Sequence, residues 1–237
     1  MLANKNINKA CRYILFHDAD VIVSFIGLLL ISGGFIYFLA KGIFENRGDD
    51  FILMILYVLL VGSFLLISNA MIVSLTIKDR LTKRIEFILG SGISLKEYIK
   101  AYAIEMWRIS SFSGYLLFIF SYVFYDFKFS YISFIIVFLI TIIMLYFEVL
   151  LMNLIGLTLK NYKFFKNILF FTTSFSIYLL GTFSKTIITF LTLNNISLLY
   201  LIIGINLTFM IIFSCGSYLM LKNKNLEDII SREGVWS

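Results

Sequence analysis

FILMILYVLLVGSFLLISNAMIVSLTI, Phe51 to Ile77, runs directly into KDRLTKRIEFILGSGISLKEYIKA, Lys78 to Ala101. The first stretch carries no charge, and a hydrocarbon layer of about 30 Å takes roughly 20 helical residues to cross. The second gathers six of the chain's 20 basic residues. A charge-free run that ends abruptly in a basic segment reads as a membrane helix emerging into water. The rest of the chain is built in the same way.

Of 237 residues, 60% are hydrophobic, 14% are charged and none is proline. Soluble domains average about 25% charged residues, so an integral membrane protein is expected. Besides 51–77, five further stretches are long and apolar enough to span: Val21 to Ala40, Ala103 to Tyr125, Phe129 to Leu159, Asn167 to Ser184 and Ile196 to Leu221. They lack the two-residue alternation of barrel strands, and only helices otherwise satisfy the backbone in lipid. The expected fold is an all-α polytopic membrane protein with six transmembrane helices and an amphipathic cytoplasmic helix between spans two and three. It forms one transmembrane domain over 1–237: an interfacial segment 1–20, spans one and two in 21–77, a cytoplasmic segment 78–102, spans three to six in 103–221 and a tail 222–237. A further apolar patch, Thr186 to Leu193, follows the fifth stretch and reads as a loop or a short re-entrant helix. Lys5, Lys9, Arg12, His17, Asp18 and Asp20 make the first twenty residues too polar for a signal peptide, so the first apolar stretch is a retained helix.

Orientation follows from the basic residues. With an internal N-terminus, the inner segments hold 3, 7, 3 and 3 Lys or Arg, which sum to 16, counting Arg108 with the segment before it. The outer segments hold Lys41, Arg47, Lys128 and Lys185, which is 4. This places both termini in the cytoplasm. The net charge of +6 is accounted for by topology and anionic lipid headgroups, so no nucleic-acid partner is invoked. Cys11 and Cys215 are expected far apart and unbonded.

The inventory for chemistry is thin. The lone His17 precedes the first span, so neither a Ser–His pair at membrane depth nor a His/Cys/carboxylate metal cluster can be assembled. No G-x-x-x-x-G-K-[ST] phosphate loop is present. No enzyme activity and no cofactor are assigned to this chain; its energy source is another polypeptide or an ion gradient. Glu148 is the ionisable group deep in a span. It reads either as an ion relay or substrate contact, or as a carboxyl hydrogen-bonded to Asn153 or a neighbouring helix. Glu105 and Arg108 are spaced to pair at the head of span three. Gly27 and Gly34 share a face of span one and would permit close helix approach.

Within the basic segment, Asp79 to Leu89 has no helix breaker and precedes the turn Gly90-Ser91-Gly92. As one helix of about 16 Å it is suited to the membrane surface. On a wheel, Leu81, Ile85, Ile88 and Leu89 share a quadrant, with Asp79, Lys83 and Glu86 opposite. Phe87 projects on the polar side, an apolar knob among charges of the kind that docks a second protein. Ser94 with Glu97 three residues on forms a capping box that starts the next helix.

Asp79-Arg80, Ile85-Glu86-Phe87-Ile88-Leu89, Ser91-Gly92-Ile93-Ser94 and Tyr98-Ile99-Lys100 together resemble the cytoplasmic loop of ABC transporter permeases of the type 2 exporter class. The resemblance extends to the six spans, the internal termini and the segment before span one. Two positions depart from it: Lys83-Arg84 stands where the family often has glycine-threonine, and Gly92 stands where it usually has proline. The resemblance implies a coupling helix seated in a separate ATPase, with Asp79, Arg80, Lys83, Arg84, Glu86, Phe87, Leu89 and Gly90 at that interface. It further implies two ATPase copies carrying the ATP and magnesium, and a second permease, identical or homologous. It also implies a path between the second and fifth spans, where Ser68, Asn69, Thr172, Thr173, Ser174 and Ser176 stand. The 26 Phe and 14 Tyr favour amphipathic cargo, such as an antimicrobial peptide, a lipid or a hydrophobic drug. The setting implied is a bacterial plasma membrane. The other reading is a standalone membrane protein, either a gradient-driven carrier or a peptide-binding immunity protein.

Overall fold

The computed structural model describes residues 5–42, 49–124, 131–158 and 161–223. Among these the chain is helical, with no strand. Helix α1 (Lys5–His17) and helix α2 (Ala19–Gly42) are separated at Asp18. Helix α3 (Asp49–Met71) continues through a π-helical segment, Ile72–Ile77, into α4 (Lys78–Leu81). A short α5 (Arg84–Gly90) precedes α6 (Leu95–Phe124), α7 (Tyr131–Thr158), α8 (Tyr162–Leu193) and α9 (Leu198–Asn223).

Among the described residues three helices are long and apolar enough to cross a membrane: Asp49–Leu81, Ile132–Thr158 and Leu198–Lys222. They match the expected second, fourth and sixth spans. The other three expected spans fall on α2, α6 and α8, of 24, 30 and 32 residues. Helix α8 corrects one expectation. Residues 186–193 form neither a loop nor a separate re-entrant helix but the last two turns of one continuous helix. The physical reason is that 184–186 reads Ser-Lys-Thr, with no residue that breaks a helix. At 1.5 Å per residue α8 is about 48 Å long. It starts at Asn161, whose side chain accepts a 2.9 Å bond from the Phe164 amide.

Helices α7 and α9 run side by side in the same direction. Asn206 Nδ2 donates to Thr141 Oγ1 at 2.7 Å, and ten residues on in both helices Gly216 lies against Leu151. A Cβ on Gly216 would sit 3.3 Å from a Leu151 methyl, so this contact uses the glycine. The same economy is not found in α2. Nothing lies within 4 Å of a Cβ built on Gly27, Gly33 or Gly34, so the close approach expected on that face is not made among the described residues.

Two apolar clusters fill the bundle. One, at the end that carries residues 78–101, is built around Phe64, Met71, Leu75, Tyr98, Met106 and Leu154. The other, at the far end, packs Ile52, Leu56, Leu117, Phe134, Val137 and Ile202. Tyr57 donates to Asn206 at 2.9 Å, tying α3 to α9. With the Thr141 bond, a fully buried amide thus joins three helices where water cannot compete.

Candidate functional site

The basic segment leaves the membrane rod in two pieces rather than as the single helix 79–89 expected from its lack of breakers. Helix α4 stops at Leu81, and Lys83 adopts a left-handed φ of 57°. The Thr82 amide and hydroxyl both still reach the Lys78 carbonyl, at 2.9 and 2.8 Å, and the helical register is lost one residue later, where the Lys83 amide closes onto the Arg80 carbonyl at 3.1 Å. Helix α5 restarts at Arg84, the Glu86 amide bonding back to the Lys83 carbonyl at 3.1 Å. The wheel remains valid inside α5. Ile85 is buried, Ile88 and Leu89 pack against the core cluster, and Phe87 on the opposite side is 81% exposed.

Asp79 and Arg80 do not stand among the outward charges. Asp79 is 2% exposed and accepts from the Tyr98 hydroxyl at 3.1 Å and the Tyr102 hydroxyl at 2.5 Å. Those tyrosines are four apart on α6, their rings tilted at 38° with 4.1 Å between centroids, so one carboxylate takes both phenols. Arg84 adds a contact at 3.4 Å from its Nη1 to the other carboxylate oxygen. Burial raises the pKa of both phenols, the Asp79 charge adding to it, so they are held as donors. Arg80 is buried as well, its Nη1 donating to the carbonyl of Leu157 at the end of α7. The pair expected at a partner interface is instead a double anchor: the acid grips α6 and the base grips α7. A buried charge needs such partners, which is why these two turn inward and Lys83 does not.

Of the remaining interface candidates, Lys83, Arg84, Phe87 and Gly90 are exposed, while Glu86 and Leu89 are half-buried. Leu89 belongs to the face that holds α5 to the body. Gly92 has φ 87°, a conformation open to glycine at little cost, and so turns the chain where a proline could not adopt that angle. The capping box forms as expected: Ser94 Oγ donates to Glu97 Oε2 at 2.8 Å, and the Ser94 and Glu97 amides close the ring. The Ser94 hydroxyl and amide bonds hold the Glu97 carboxyl below its usual pKa.

A third anchor lies beside the segment. Arg12 of α1 makes two bonds to the Glu105 carboxylate, at 2.8 and 2.9 Å, and Arg108 approaches the same group at 3.3 Å. The expected Glu105–Arg108 pair is therefore real but is the weaker half of a triad. Asp18 Oδ2, at the break between α1 and α2, lies 3.8 Å from Lys78 Nζ. Cys11 and Cys215 are both free thiols, Cys11 buried and Cys215 exposed.

Glu148 is 4% exposed, and its Oε2 has no hydrogen-bond partner. The expected bond to Asn153 is not made. Asn153 is engaged elsewhere, accepting from Thr76 and donating to the Val149 carbonyl at 2.8 Å and the Met106 sulfur at 3.4 Å. An isolated buried acid opposes folding, so Glu148→Leu is expected to be neutral or stabilising by about 1–3 kcal/mol, read as the unfolding midpoint in detergent. A loss of stability would mean that the carboxyl has a structural partner.

The path candidates are only partly placed. Ser68 and Asn69 are buried in α3, Ser68 donating to the Leu65 carbonyl at 3.1 Å. Ser174 is exposed on α8, whereas the side chains of Thr172, Thr173 and Ser176 lie outside what is described. Neither Ser68, Asn69 nor Glu148 lines the roughly 320 Å³ cavity at the far end, which is bordered by Asp50, Thr192, Asn195 and Ser197. Among the described residues no three His, Cys, Asp or Glu side chains gather as metal ligands.

No protein family, no curated protein and no solved structure matches this chain.

Proposed function

We propose that this membrane protein is a six-span permease subunit of an ATP-driven exporter and that α5 is its coupling helix. The observation that carries the reading is Phe87. It is a large apolar side chain, 81% exposed, on a seven-residue helix whose flanks are fixed to α6 and α7 by buried polar anchors. A push on such a mount moves the helix bundle rather than the loop. Lys83, Arg84, Glu86 and Gly90 surround the ring and complete the surface offered to an ATPase; Asp79 and Arg80 transmit from behind it. ATP and magnesium belong to that partner, present in two copies, and a second permease closes the path. The cargo class favoured by the aromatic-rich spans is amphipathic, moved outward across a bacterial plasma membrane with both termini of the chain inside.

The test is capture of the partner. Full-length chain purified from its host membrane is expected to bring down a polypeptide with a phosphate loop. Phe87→Ala should weaken that association by about 2 kcal/mol, some thirtyfold, without altering the unfolding midpoint. Wild-type protein that enriches no nucleotide-binding chain would exclude the proposal. The unpartnered Glu148 oxygen favours the gradient-driven carrier instead. For that reading, reconstituted protein alone would move cargo and Glu148→Gln would stop it.

A further inference from the structure

We infer that α1 is a docking face for the anionic phospholipid headgroups of the membrane leaflet at the basic end of the bundle, independently of any ATPase. Helix α1 contains no acidic residue, and its two sides differ sharply. Ile7, Cys11 and Leu15, spaced four apart, are buried. About 140–160° around the helix, Lys9, Tyr13 and Phe16 form the exposed side, the two rings being 65% and 56% exposed. Rings beside an exposed ammonium are the composition of a helix lying at a lipid interface: the aromatics enter the headgroup layer and the cation meets its phosphates.

The position of α1 supplies the second argument. It is fastened by Arg12 to Glu105, and α6 carries Lys96, Glu97, Lys100, Glu105 and Arg108 before a charge-free run from Ile109 to Phe124. Glu105 therefore sits where α6 passes from charged to apolar, the level of the headgroups. Around it the described charges are unequal: Lys9, Arg12, Lys78, Arg84 and Arg108 against Glu105, Asp18 and Asp79. Among the described residues no surface offers both a counter-charge for the surplus cations and a bed for the exposed rings, whereas an anionic leaflet offers both at once. Because Asp18 faces Lys78 and Arg12 holds Glu105, headgroups bound to α1 also bear on the two helices that carry α5.

The full-length chain in nanodiscs tests this, by hydrogen exchange of the α1 amides. In phosphatidylcholine containing about 30% phosphatidylglycerol, exchange in α1 is expected to be about tenfold slower than in pure phosphatidylcholine, with α3 and α7 unchanged. Lys9→Gln combined with Phe16→Ser should abolish the difference, and Lys9→Arg should keep it. Equal exchange in the two lipids would overturn the inference, as would a difference that persists in the double variant. Slowing produced in pure phosphatidylcholine by soluble glycerophosphoglycerol would overturn it too, by showing that a free anion suffices.

Discussion

Asp79→Ala should lower the stability of the protein by about 3 kcal/mol, measured as reversible unfolding in mixed micelles. The carboxylate is buried and receives two phenol hydroxyls and a guanidinium. Its removal strands two buried donors, each costing about 1–3 kcal/mol when left unpaired, offset in part because the half-exposed Arg84 returns to water. Asp79→Asn, which keeps one acceptor oxygen, is expected to fall between. A wild-type midpoint for the alanine variant would show that Tyr98 and Tyr102 find other partners and that the anchor to α6 is dispensable.

The second large effect is expected from Arg80→Ala, at about 2–3 kcal/mol. Arg80 donates to the Leu157 carbonyl, one of the final acceptors of α7 that the helix itself leaves unpaired. A cation there also opposes the negative end of the helix dipole. The substitution loses both and opens a cavity where a buried side chain stood. Arg80→Lys should recover only part, because a single ammonium lacks the planar fork. Together the two substitutions separate two roles within one short segment. Asp79→Ala and Arg80→Ala change stability; Phe87→Ala changes partner capture. Were Asp79 and Arg80 surface contacts to an ATPase, the first two would behave like the third.

The segment also shows which parts of this structure could be read from its residues. Long apolar runs announced α3, α7 and α9 because burial in lipid needs no partner to be inferred. Ser94 and Glu97 announced the start of α6 because a capping box is a local pattern, closed within four residues. Phe87 was legible as an aromatic out of phase with its neighbours. The inward turn of Asp79 was not. A carboxylate in a basic segment reads as solvated unless its partners are known, and these are 19 and 23 residues away. Tyr98 and Tyr102, four apart at the head of a helix, were the signal that could have revealed it. Arg12 and Glu105, 93 residues apart, left no such trace. Nor did Tyr57, Asn206 and Thr141, which three separate helices bring together. The break at Lys83 escaped because lysine gives no sign of a left-handed backbone.

The π-helical segment from Ile72 to Ile77 has a consequence for how this chain tolerates change in its own length. A turn that closes five residues back instead of four holds one residue more than the rod requires. Shortening the chain by a single codon between 72 and 77 would let the turn relax to the ordinary pitch while the faces on either side keep their alignment. The same loss elsewhere in Asp49–Leu81 would swing every later side chain by about 100° and carry Asp79 away from its tyrosines.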